Sequence, residues 1–157
     1  MQIELRPIQR EDLSVLFEIQ CDPVACALAA VNPRSRSDFD AHWQQVLIDP
    51  AVCGRAILAA GEIIGSISCF VCGEDVSVGY WLKRTHWGRG IATQALEQIL
   101  KEDGRRPLHA RVAQHNTASV RVLQKCGFQI VGTEFSTATE RYQECVEVLL
   151  LLAGPAD

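Results

Sequence analysis

Tyr80-Trp81-Leu82-Lys83-Arg84-Thr85-His86-Trp87-Gly88-Arg89-Gly90-Ile91-Ala92-Thr93 decides how this chain reads. An apolar, strand-like run ends in a basic turn, then come two glycines one residue apart, then helix-forming residues. Gly88 and Gly90 carry no side chain, so a ligand can come close to the backbone there. A helix starting near Gly90 leaves its first amides unpaired and turns the positive end of its dipole toward the glycines. Arg84 and Arg89 add full charges. This combination suits a pyrophosphate. The same G-x-G also suits a bare turn that packs a strand tightly on a helix. Position 93 is Thr, so the G-x-G-x-x-G dinucleotide pattern is incomplete, and no G-K-[ST] follows.

Around this stretch, size and composition set bounds. The chain has 157 residues, enough for one domain with an ordinary core. Hydrophobic residues make up 48%, which favours a globular fold over disorder. Net charge is -4, so composition offers no basic face for nucleic acid, and Arg34/Arg36, Lys83/Arg84 and Arg105/Arg106 read as solvated clusters. No signal segment is expected at Met1-Gln2-Ile3-Glu4, and the longest apolar run, Val148 to Ala153, is too short to span a bilayer. The seven cysteines are odd in number and scattered, which suggests reduced, mostly buried thiols and a cytoplasmic protein. Cys69-Phe70-Val71-Cys72 is a C-x-x-C inside a strand-like run, with no second pair at zinc spacing, so neither a metal nor a redox role is expected.

The chain divides into short elements without repeats or linkers, hence one domain over residues 1–157. Ile3 to Arg6 alternates as a strand, and Leu13, Leu16 and Phe17 follow helical spacing. Asp22-Pro23 ends that helix and opens a short second one. Ser37 reads as the N-cap of a third, which carries Phe39, Trp43, Val46 and Leu47. Arg55–Ala60, Ile63–Val71 and Val76–Leu82 are three strands joined by turns at Gly61-Glu62 and Gly73-Glu74-Asp75. A helix follows from Ile91 to Asp103, closed by Gly104. Pro107–Val112 is a strand, Asn116–Lys125 a helix stopped by Gly127, and 128–132 with 141–151 a closing antiparallel pair. Mixed order of this kind implies a mixed sheet covered by helices.

Asn116-Thr117-Ala118-Ser119-Val120-Arg121-Val122-Leu123-Gln124-Lys125-Cys126-Gly127-Phe128 is the second informative stretch. As structure alone it is a capped amphipathic helix: Asn116 is the N-cap, Val120 and Leu123 are buried, Lys125 complements the dipole. Together with the glycine loop, it resembles the GNAT superfamily of acyl-CoA N-acyltransferases, particularly the branch of ribosomal-protein alanine N-acetyltransferases. The first stretch resembles that family's R/Q-x-x-G-x-G/A acetyl-CoA motif, and the second its N-x-x-S-x-x-V-L-x-K-x-G-F segment. Leu5-Arg6-Pro7 with Glu11-Asp12-Leu13, and Gly79-Tyr80-Trp81-Leu82, also match, so the likeness spans nearly the whole chain. There are departures. Thr85 stands at the R/Q position, Leu123 where many relatives carry a catalytic Tyr, and Ser77 where the branch often carries an acid.

The resemblance implies an α/β (α+β) fold with a mixed, mostly antiparallel central sheet of about seven strands, the fourth and fifth splayed, and about four helices on its faces. It implies an acetyl-CoA-dependent N-acetyltransferase acting on a primary amine, either a protein N-terminus or a small amine. Coenzyme A would lie along Tyr80, Trp81 and Leu82. Its diphosphate would rest on the amides of Trp87, Gly88, Arg89, Gly90, Ile91 and Ala92, with Arg84 nearby and Asn116 reaching the pantetheine arm. An amide near Trp81 or Leu82 would polarise the thioester carbonyl. Ser119 would give the leaving thiolate a proton or a hydrogen bond; the plain alternative is a helical serine bonding back to a carbonyl. Glu74 is the expected base, with Asp75, Glu134 and His115 as further candidates. The amine pocket is expected from the first two helices and residues 31–37, and Trp43 and Phe17 are expected in the core. The acidic balance favours a cationic acceptor. No metal, nucleic acid or membrane partner is expected, and the chain would be a monomer or homodimer. A non-catalytic acyl-CoA-binding module or sensor is the alternative, and a nucleotide-binding regulator a remote third.

Overall fold

Residues 56–59 show why the chain forms layers. Ala56 and Leu58 are buried with Ile8, Leu13, Leu16, Ile19 and Phe39, whereas Ile57 and Ala59 are buried with Ile91, Ala95, Leu96 and Ile99. Successive strand residues point to opposite faces, so a strand apolar at every position must be covered on both sides. A computed structural model describes residues 1–154. The strands are β1 (Ile3–Pro7), β2 (Cys53–Ala59), β3 (Glu62–Cys72), β4 (Asp75–Leu82), β5 (Leu108–Ala113), β6 (Gln129–Ser136) and β7 (Cys145–Leu152). They form one 7-stranded sheet in the order β1-β2-β3-β4-β5-β7-β6. Only β4 and β5 run parallel. The helices are α1 (Leu13–Gln20), α2 (Pro23–Ala29), α3 (Arg36–Ile48), α4 (Ile91–Glu102) and α5 (Thr117–Lys125), one more than the resemblance implies. Hydrophobic residues of α1 and α3 cover one face of the sheet, and those of α4 and α5 cover the other. On α4 the buried stripe is Ile91, Ala95, Leu96 and Ile99, and each fully buried Ile or Leu contributes roughly 1.5–3 kcal/mol.

The splay lies at the sheet's centre. β4 and β5 pair only at Val76–Leu108 and Ser77–His109, so beyond Ser77 the β5-facing edge of β4 has no strand beside it. The Lys83 amide donates to the Ile64 carbonyl at 2.7 Å on the other side. With a period of two, the main chain of Trp81 also turns toward β3, while that of Tyr80 and Leu82 turns into the splay. Trp81 therefore supplies a side chain to this region and no free edge.

Several boundaries differ from expectation. Ser35, not Ser37, caps α3: its hydroxyl accepts from the Asp38 amide at 3.2 Å, and Arg36–Asp40 then forms an i,i+4 pair at 3.0 Å in the first turn. The Val46 and Leu47 end of α3 gains little burial, Leu47 being exposed. Gly104 does not cap α4. The helix passes into extended Asp103, and Arg106 donates to the carbonyls of Leu100 and Asp103 at 3.1 and 3.0 Å. β7 starts at Cys145, so Arg141 lies in the β6–β7 connection, which folds onto residues 30–32 through the Val31–Tyr142 bridge. Cys69 is fully buried and Cys72 exposed, because residues three apart on a strand face opposite ways.

Candidate active site

A groove of about 420 Å³ occupies the splay, walled by Tyr80, Trp81 and Leu82 of β4, by Gly88 and residues 90–93, and by α5. Gly88 and Gly90 have φ of 74° and 75°, the left-handed region that side chains disfavour. A Cβ built at either position meets nothing within 4 Å, so the approach to the backbone is open. Gly90 is the N-cap of α4 and offers no side-chain cap. The first amides of this 12-residue helix thus lack helical partners and point into the groove's end. Arg121 and Lys125, spaced i,i+4 on α5, also line the groove. Neither was assigned a ligand role from sequence; that spacing, on the helix that follows the glycine loop, is the signal that marks them.

At mid-groove two hydroxyls meet. Tyr80 Oη lies 2.6 Å from Ser119 Oγ, and Tyr80 Oη also lies 3.4 Å from the Ser119 carbonyl oxygen. Ser119 therefore does not use its hydroxyl for back-bonding within α5. Asn116 fixes this turn, its side-chain oxygen accepting from the Ser119 amide at 3.4 Å. Burial pushes the Tyr80 phenol up to about 12, against the opposing effect of the Ser119 bond, so it is a neutral O–H near neutral pH. Leu123, at the position where the resemblance leads one to look for a Tyr, is 1% exposed and belongs to the core. A phenol nevertheless reaches the groove, from β4 instead of α5. Sequence reading placed Tyr80 there only for its main chain.

The structure thus gathers Tyr80, Trp81, Leu82, Trp87, Gly88, Gly90, Ile91, Ala92, Asn116 and Ser119 around one groove. It separates the others. Arg84 does not line the groove and pairs with Asp22, the N-cap of α2, at 3.2 Å. Arg89 is exposed beside the groove without lining it. Glu74 is exposed in the β3–β4 turn; six strand residues at about 3.3 Å each put it roughly 20 Å from Tyr80. Asp75 lies 3.5 Å from His109, Glu134 lies 3.3 Å from Arg111, and His115 Nε2 is 3.0 Å from the Ala27 carbonyl. No Asp or Glu lines the groove among the described residues. Trp87 Nε1 donates to the Leu82 carbonyl at 2.8 Å, which pins the glycine loop to the end of β4.

The fold matches known structures over nearly the whole chain. A spermidine N-acetyltransferase from Vibrio cholerae, in complex with CoA and spermine, superposes with a TM-score of 0.78 at 19% identity, covering 96% of this chain and 95% of that one. The ribosomal-protein acetyltransferase RimL, in complex with coenzyme A, gives 0.79 at 18% identity, covering 99% and 96%. An uncharacterized N-acetyltransferase, p20, of Bacillus licheniformis is 24% identical over 144 residues, 83% of this chain and 81% of that protein. Residues 2–129 match the family model described as the acetyltransferase (GNAT) domain, and the chain belongs to that family.

Proposed function

We propose that the protein transfers the acetyl group of acetyl-CoA to a primary amine by direct attack in a ternary complex. The observation that carries this is the groove itself: an unpaired β4 edge leads to open helix amides, with a hydroxyl pair between them. The residues present fit the cosubstrate. Amides of Gly90 to Thr93, with the α4 dipole and the cations of Arg121 and Lys125, suit its diphosphate. The main-chain groups of Tyr80 and the Leu82 amide suit its pantetheine arm as an added strand would. The Asn116 side chain stands at the same wall.

Acetyl-CoA brings an activated acyl carbon and a thiolate leaving group. The amine must arrive neutral; the new C–N bond forms as the C–S bond breaks, and the amine's surplus proton leaves. The Leu82 or Tyr80 amide, turned into the splay, polarises the carbonyl; one such donor is worth about 3–4 kcal/mol in acyl transfer. Tyr80 and Ser119 serve the departing sulfur. A thiol's usual pKa is about 8.5, well below that of the Tyr80 phenol at about 12. The pair therefore holds the thiolate by hydrogen bonding and keeps its own protons. With no carboxylate in the groove among the described residues, the amine loses its ammonium proton to water. The acceptor class is a protein N-terminus or a small amine.

A calorimetric titration with acetyl-CoA, combined with thiol release across an amine panel, tests this. Saturable binding and thiol release with at least one primary amine are expected. Binding without release from any amine would favour the non-catalytic module; absence of binding would remove the reading altogether.

A further inference from the structure

A second hollow, about 100 Å³, opens on the α1/α3 side of the sheet and meets the groove at Trp81, a residue that lines both. Gln20, Arg34, Trp43, Ser66 and Arg141 are among its walls. Its size is about three water molecules' worth, room for a small head group. Of the first two helices and residues 31–37, where the amine pocket was expected, this hollow draws on α1 and Arg34, together with α3, β3 and the β6–β7 connection, while α2 borders the groove.

The charge in this hollow is all of one sign. Neither Arg34 nor Arg141 has a salt-bridge partner among the described residues, and no carboxylate lines the space. Among the other half-buried arginines, Arg6, Arg55 and Arg105 each have an acid at 2.6–2.7 Å, and Arg106 spends its donors on the carbonyls of Leu100, Asp103 and Arg105. The main chain that carries both cations is held in place. Gln20, 9% exposed, brackets Arg34 by donating to its carbonyl at 3.2 Å and accepting from its amide at 3.0 Å. Arg141 is tied to Asn32, donating through Nη1 to its carbonyl and accepting from its amide at 2.7 Å. Yet Arg141 Nε is buried with no acceptor. A buried donor without a partner is costly and marks a place where an acceptor belongs. Burial lowers the pKa of both guanidiniums; the Arg34 charge lowers that of Arg141 further, while Tyr142 and Asp38 partly offset the shift at Arg34. Arginine stays charged through such shifts.

We infer that this hollow takes the anionic end of the acceptor, a carboxylate or phosphate, between Arg34 and Arg141, so that the acceptor is an amine that also carries an acid group, such as an amino acid. This rests on the acetyl-transfer reading above. Planar guanidiniums match either oxyanion, and an acceptor anchored there has its amine end directed past Trp81 toward the Tyr80–Ser119 pair. A polyamine would meet two like charges. The net charge of the whole chain therefore misleads about the acceptor.

The test uses the full chain with acetyl-CoA and matched amines: α-amino acids against their carboxamides, aminoalkylphosphonates against their neutral diesters, and spermidine. The anionic member of a pair is expected to show kcat/KM at least about tenfold higher; the two series tell carboxylate from phosphate. Arg34→Gln and Arg141→Gln should each shrink that ratio and leave acetyl-CoA affinity unchanged. Equal efficiency within the pairs, or preference for spermidine, overturns the inference while leaving acetyl transfer intact. Loss of acetyl-CoA binding would instead strike the groove. A second readout needs no turnover. Inorganic phosphate should change tryptophan fluorescence saturably, through Trp43 and Trp81, and Arg34→Gln should weaken that response. Arg34 suits this arm because its side chain makes no hydrogen bond among the described residues, so its loss spares the fold. Identical titrations for wild type and Arg34→Gln would overturn the inference.

Discussion

Tyr80→Phe removes a single oxygen from the groove and leaves the ring's packing in place. That oxygen lies 2.6 Å from Ser119 Oγ, and the phenol stays protonated because its pKa is pushed up to about 12. If the pair stabilises a departing thiolate, the bond lost in the transition state is one to a charged group, worth about 1.5–3 kcal/mol. At 1.36 kcal/mol per decade, kcat should fall by about 10- to 150-fold. On the proposed reading the hydroxyl acts on the departing sulfur alone, so the acetyl-CoA Kd should change less than about twofold, within 0.4 kcal/mol. Ser119→Ala should lower kcat similarly. Because the two hydroxyls act as one unit, the double variant should cost less than the sum of the single costs. The assay is thiol release at saturating amine, beside a calorimetric acetyl-CoA titration and a thermal melt for each variant. A kcat within twofold of wild type in a folded Tyr80→Phe protein would refute the role of the pair. A proportional loss of binding would show that it acts on the ground state.

Three further outcomes are expected. Gly90→Glu puts a carboxylate at the proposed diphosphate site, on a residue with φ of 75°, and should raise the acetyl-CoA Kd by about a hundredfold or more while the circular dichroism stays native; unchanged affinity would dismiss the loop assignment. Gly65→Ala places a Cβ 2.1 Å from the Trp81 carbonyl oxygen, so β3 and β4 must part there; a loss of about 1–3 kcal/mol, read by urea unfolding, is expected, and an unaltered midpoint would contradict the packing. Acid should weaken the fold through two carboxyls. Arg6 hydrogen-bonded to Asp12, and Arg105 to Asp103, hold these acids below their usual range, so their stabilisation is complete above about pH 4 and fades as pH falls through the folded values. Asp12→Asn and Asp103→Asn should each flatten the melting temperature against pH between about 5 and 2; a profile as steep as wild type would show that other groups dominate.

Local patterns carried most of the fold. Strand alternation, the Asp22-Pro23 break and the buried stripe of α4 depend on neighbours in sequence, and these elements stand within a few residues of where periodicity puts them. Errors arose where two local solutions were equivalent or where distant groups decided. Ser35 and Ser37 are equal as N-caps until the Arg36–Asp40 pair is seen to favour the earlier start. Gly104 is an obvious stop signal, but the Arg106 side chain, with two donors, supplies the cap. In the site, the glycine loop and the Asn116–Ser119 turn were legible because each is a contiguous device. Glu74 was the weakest choice, since carboxylates in a hairpin turn are usually solvated, and here it is. Tyr80–Ser119 spans 39 residues and Arg34–Arg141 spans 107, so no spacing rule could reveal either. The paired acids of Arg84 and Arg6, likewise, only the fold could show.

In the proposed mode of binding, main-chain donors at the start of α4 hold the diphosphate of coenzyme A while its arm lies along the open edge of β4. A crystal structure of the protein grown with coenzyme A tests it most directly. Phosphate oxygens within hydrogen-bond reach of the amides of residues 90–93, with the thiol near Tyr80 Oη, are the predicted result. Coenzyme A bound away from the β4–β5 splay, with those amides facing water, would contradict the account.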